Sequence, residues 1–162
     1  MTTTGARIEA NEAALPTLIE QFLAGELPKA EWTHEAHLRV GLWHLLNFAP
    51  DVAMSRLREG ILRLNAAHGT PNTDRSGYHE TITQFYVWVI HDFVAHCDRR
   101  RPFDELAAEL VASHGIRDLP LRFYTRERLN TPEARRHVVL PDLPPANGWP
   151  AYLLERDKSS ET

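Results

Sequence analysis

Apolar residues recur along this chain at intervals of three and four, the spacing that lines one face of an α-helix, and no segment alternates as a half-buried strand does. Leu15, Leu18, Ile19, Phe22 and Leu23 predict a first helix over about residues 8–24, stopped by Gly25. Thr33 is placed to cap a second helix that runs to about Phe48, ahead of Pro50. Val52, Leu57, Ile61 and Leu64 mark a third, from about Asp51 to Ala67, with Gly69 just past its end. A loop of helix breakers, residues 69–77, leads into a long fourth helix from about Tyr78 to Asp98, striped by Ile82, Tyr86, Val89, Ile90, Phe93 and Cys97. A fifth is expected from about Pro102 to Ser113.

Beyond Gly115 prolines divide the chain into short pieces, predicting one short helix near Pro132 to His137 and then an extended tail held to the body by Trp149, Tyr152 and Leu153. The composition from about Asp157 predicts a disordered end. The pattern therefore specifies an all-α fold, a compact four- to five-helix bundle with an irregular Pro-rich C-terminal tail. Residues 1–156 are expected to form one domain and 157–162 a tail. Short connections make consecutive helices antiparallel, so the second and fourth should run parallel with their N-termini at one end.

Composition narrows the functional classes. The 162 residues, 43% hydrophobic and 25% charged, suffice for a single core without disulfides or a structural metal. Eighteen Lys and Arg against 22 Asp and Glu leave a charge of -4, with no basic field to gather nucleic acid. The single cysteine, Cys97, has no intramolecular partner and reads as an inert core thiol. The start MTTTGARIEANEA lacks the basic and apolar regions of a secretory signal, and no apolar run is long enough for a membrane span. A cytoplasmic protein with no membrane partner is expected. Nine histidines are the feature that points to chemistry.

Trp32-Thr33-His34-Glu35-Ala36-His37-Leu38 opens the second helix with two histidines three residues apart, neighbours on one helical face and suited to joint metal ligation. This is not the zinc-protease H-E-x-x-H spacing. Gly41, one turn on, either leaves room for a ligand or allows close packing. Gly77-Tyr78-His79-Glu80-Thr81-Ile82-Thr83 opens the fourth helix, with His79 projected onto the apolar stripe and Glu80 roughly 140° away from it. An inward histidine in a first turn serves either as a ligand or as a hydrogen-bonded core residue. Parallel helices would bring His34, His37 and His79 to one mouth, where the helix dipoles help keep imidazoles neutral, as ligation requires.

Three imidazoles leave an open position on one divalent transition metal, zinc or iron. Glu80 or Glu35 would then act as general base, or Glu80 would join His37 and His79 in a two-His, one-carboxylate site; a helix-terminal charge is the equal alternative for Glu80. Tyr78, Thr83 and Tyr86 are candidate pocket or supporting residues. Arg75 with Asp74 lies in the 69–77 loop, expected as a mobile cover. Arg122 and Tyr124, anchored by Leu121 and Phe123, are candidates to hold an anionic substrate group. His44 is expected as a boundary residue between core and surface or as a distant supporting partner of the site, His91 in solvent, His68 as a helix C-terminal residue or a supporting or covering residue at the mouth, and His114 at a helix C-terminus.

The motifs W-T-H-x-x-H-L-R-V, G-Y-H-E-T-I-T and Y-T-R-E-R-L with P-E-A-R-R and P-D-L, spanning roughly residues 30–143, resemble those of a family of small, uncharacterised bacterial proteins. In architecture the chain is also similar to DinB-like bundles, whose three histidines bind a metal at one end of four helices. Here the His pair comes early and the single His late, so that likeness implies a fold and a site but no activity. The expected function is a metal-dependent enzyme acting on a small molecule, by hydrolytic or lyase chemistry with zinc or oxidative chemistry with iron. The alternative is a non-catalytic metal- or small-ligand-binding or assembly domain with structural histidines.

Overall fold

The computed structural model describes residues 15–143. Within them the chain is 66% helical and has no strand, as the periodicity predicts. The long helices are α1 (Thr17–Ala24), α2 (His34–Asn47), α3 (Pro50–Ala67), α4 (Glu80–His96) and α5 (Phe103–His114); two short ones follow, α6 (Arg126–Leu129) and α7 (Pro132–Arg136). Single 3-10 turns occupy Lys29–Glu31 and Leu119–Arg122.

Helix ends follow local chemistry. Thr33 caps α2 by accepting from the Ala36 N–H at 3.2 Å, and Pro50 opens α3 at a position whose N–H would have no partner. Thr125 and Thr131 cap α6 and α7 in the same way as Thr33. Helix α1 begins only after Pro16, later than the expected start at residue 8; residues 8–14, the expected tail with Trp149, Tyr152 and Leu153, and the end beyond Asp157 lie outside the described residues.

Helix α2 is central and packs against α1, α3, α4 and α5. Its buried Leu38, Leu42 and Leu45 meet Phe22, Leu64, Ile90 and Leu110 in one core. At Gly60 a Cβ would stand 2.5 Å from the Phe22 ring, so the missing side chain lets α1 and α3 close on each other. A second core joins Phe85 and Val89 of α4 to Leu119, Tyr124, Leu129, Ala134 and Val139. The irregular segment beyond α5 is thus packed onto α4.

That packing runs through one hydroxyl. Thr81, fully buried, directs its Oγ1 at the carbonyls of Ala134 (2.6 Å) and His137 (2.9 Å) and accepts from the Val139 N–H at 3.1 Å. Tyr124, 0% exposed, donates to the Val139 carbonyl at 2.8 Å. Its expected role in substrate binding is corrected: the ring is core, and its hydroxyl is already satisfied.

A candidate ligand cavity between three helices

The face of α2 that turns toward α3 and α4 does not close. A cavity of about 420 Å3 remains there, walled by Leu38 and Gly41 of α2, Leu57 and Ile61 of α3, and Ile82, Val87 and Ile90 of α4. His34, His37, Thr83, Tyr86 and Arg117 bring polar groups to this apolar wall. Both readings of Gly41 apply: it lines the cavity, and a Cβ there would meet Ile90 Cδ1 at 2.7 Å. An outer cleft of about 460 Å3 adjoins, reached by Lys29, Asn65, His68, Tyr78 and His79. Trp32, His37, Ile61, Ile82 and Thr83 line both spaces, so cavity and cleft share this wall.

Among the described residues, two polar atoms of side chains on the inner wall are buried with no partner, His34 Nε2 and Tyr86 Oη. The two rings meet edge to face with centroids 5.6 Å apart. Each orphaned group costs on the order of 1–3 kcal/mol relative to a satisfied one. Burial, then the nearby Arg117, lowers the His34 pKa; the Gly115 carbonyl acts in the opposite sense but makes no bond to Nε2. Burial and then the Asp118 carboxylate push the Tyr86 hydroxyl up to about 12. At neutral pH this pair is an uncharged imidazole and a protonated phenol.

His37 stands where the two spaces meet. Its ring stacks on Trp32 with centroids 3.6 Å apart. Nδ1 lies 2.6 Å from the Thr33 carbonyl, which only accepts, so Nδ1 carries the proton and Nε2 the lone pair. The residue is exposed to solvent, yet the protein packed around its ring, partly offset by the Thr33 carbonyl, pushes its pKa down to about 4.

His79 borders the outer cleft as expected, yet both its nitrogens are engaged. It is the N-cap of α4, Nδ1 accepting from the Ile82 N–H at 3.2 Å while Nε2–H donates to the Leu129 carbonyl at 2.8 Å. Of the two roles the first-turn position allowed, this geometry is that of the hydrogen-bonded structural residue. Among the described residues, no three His, Cys, Asp or Glu side chains are grouped to hold a metal ion.

Glu80 departs from the helical projection that turned it outward: it is 9% exposed and takes a two-pronged ion pair from Arg58, with Nε–Oε2 3.0 Å and Nη2–Oε1 2.5 Å, plus the Tyr78 hydroxyl at 2.9 Å. Its oxygens are spent on α3 and on Tyr78, and among the described residues no carboxylate lines the cavity. Arg58 carries no sequence signal, because its partner is 22 residues away on another helix. Glu35 is exposed on α2, away from both spaces. Arg75 and Arg122 are exposed and line neither space.

The 69–77 loop borders the outer cleft through Thr70 and Gly77 rather than covering the inner cavity. It is tied down by Asp74 to Arg136, by Arg135 to the Gly77 carbonyl at 3.0 Å, and by Asn65 to Asn72 at 3.0 Å. Elsewhere, His44 is fully buried, its Nδ1 on the Val40 carbonyl at 2.7 Å, and His91 is half-buried rather than solvated. His68 sits at the end of α3, its Nε2 bonded to the Leu27 carbonyl at 2.7 Å.

In comparisons with known proteins, no family model, curated protein or solved structure matches this chain.

Proposed function

We propose that this chain binds a small, largely apolar organic molecule bearing one hydrogen-bonding group, held between α2, α3 and α4. The observation that carries this reading is the about 420 Å3 apolar cavity with two unpartnered polar atoms, His34 Nε2 and Tyr86 Oη, in its wall. An apolar body displaces water from the leucine and isoleucine surface, and its polar group meets the orphaned pair once the His34 and Tyr86 side chains turn toward the cavity.

The test is titration of purified protein with 2-naphthol, a bicyclic apolar body with one hydroxyl, followed by calorimetry. Saturable binding at one site per chain is expected. Ile61→Trp, which fills the inner space from its half-buried rim, should abolish it while circular dichroism stays helical. Tyr86→Phe should weaken it about fivefold, the worth of about 1 kcal/mol in one hydrogen bond. Binding that Ile61→Trp leaves unchanged would place the ligand elsewhere and end this reading.

A metal-dependent enzyme is the second reading, favoured by His37: an imidazole whose Nδ1–H is held by a backbone carbonyl, leaving Nε2 bare, has the orientation of a metal ligand. His34, three residues earlier, would be its companion. Two imidazoles are one short of the three protein ligands of a catalytic zinc site. One transition metal per chain in untagged protein, lost in both His34→Ala and His37→Ala, would put this reading first.

A further inference from the structure

We infer that His37 is the general base of a hydrolytic site at the junction of the two spaces, acting on an ester whose apolar acyl part fills the inner cavity and whose polar part lies in the outer cleft. This rests on the ligand-binding reading above and adds a reaction to it. Three observations carry it. His37 lines both spaces, so a molecule that extends from one to the other passes its ring. The Thr33 carbonyl and the Trp32 stack fix the ring's tautomer and plane, which leaves the Nε2 lone pair with no protein partner. The residue is also open to solvent, whereas His34 Nε2 is occluded, so water reaches His37 and not its neighbour.

The step uses water as the only co-reactant. Nε2 takes a proton from a water molecule as the water oxygen bonds to the acyl carbon; the bond from that carbon to the alcohol oxygen breaks, and the leaving oxygen takes the proton back from Nε2. Ester and water become acid and alcohol, and the imidazole is unchanged. Thr33 and Trp32 are positioning residues.

The experiment uses the full chain with p-nitrophenyl acetate, butyrate and hexanoate. Saturable release of p-nitrophenol is expected, with kcat/KM rising at least tenfold from acetate to hexanoate as the acyl chain fills apolar space. His37→Asn keeps an N–H where Nδ1 stands and removes Nε2, so the bond to Thr33 survives; kcat should fall about 100-fold or more with KM within about threefold. His96→Asn, an exposed imidazole far along α4, should change neither. A His37→Asn protein that keeps its kcat overturns the assignment, as does an equal loss in His96→Asn, which would mark the hydrolysis as surface chemistry. If the wild type binds 2-naphthol and hydrolyses none of the esters, the base falls and the cavity reading stands. If it does neither, both fall.

Discussion

The N-termini of α2 and α4 look alike in sequence and are used in opposite ways. Each opens with histidine next to glutamate, and both border the same pair of adjoining spaces. In the first turn of α4 the polar side chains are spent: His79 caps the helix and holds Leu129, Glu80 holds Arg58 and Tyr78, and Thr81 meets three backbone groups of the segment beyond α5. At α2 the polar groups are left over, with His34 Nε2 orphaned and His37 Nε2 unbonded. One end welds two cores together; the other walls a cavity. The difference teaches that availability, and not residue type, separates a structural histidine from a candidate site.

The largest effect expected on this contrast is at the weld. Arg58→Met leaves the Glu80 carboxylate, 9% exposed, with only the Tyr78 hydroxyl. Urea unfolding should show a loss of about 3 kcal/mol, at the lower end for a buried pair because Arg58 is itself half-exposed. A loss below about 0.5 kcal/mol would mean that this end is as loosely held as α2.

Next comes His79→Ala, which removes a cap and a tether between α4 and α6. Stability should drop by about 2 kcal/mol, while the affinity of the folded fraction for 2-naphthol should hold within about twofold. A variant that stays fully stable but releases ligand or metal would return His79 to the site.

Acid should act on both ends. His34, His37 and His79 are all held below the usual 6.5 by burial, and His44, 1% exposed, is held at about 4 by burial first. The unfolded chain therefore binds more protons than the folded one. Stability is fully present above about pH 6.5 and is lost as the pH falls toward about 4, with His44 alone contributing a slope of up to about 1.4 kcal/mol per pH unit. Urea midpoints of wild type and His44→Gln across this range should converge as the pH falls; parallel curves would refute the assignment.

The smallest effect should have the opposite sign. Tyr86→Phe removes a buried hydroxyl that has no partner and should stabilise the apo protein by up to about 1 kcal/mol, even as it weakens binding. A destabilised Tyr86→Phe would reveal a partner for that hydroxyl and weaken the case for a ligand there.

The long helices and the Thr33 cap were legible in the sequence because both depend on near neighbours: intervals of three and four bring apolar side chains to one face, and Thr33 finds its N–H three residues on. The His79 cap and the helix Arg126–Leu129 were not legible there. The shared end for His34, His37 and His79 followed from short connections between helices. What those histidines bond to did not follow. His79 meets a carbonyl 50 residues away, Glu80 a guanidinium 22 residues back, and Tyr124, expected at a substrate, closes on Val139 in a second core. Each such contact depends on how two separately legible elements settle against each other, and packing against Arg58 overrode the helical projection that turned Glu80 outward. Periodicity and local capping thus determined an all-helical bundle with histidines at one end. Only tertiary packing decided which of their nitrogens were spent on protein groups and which were left bare at the cavity, because a hydrogen-bond partner is chosen by proximity in space.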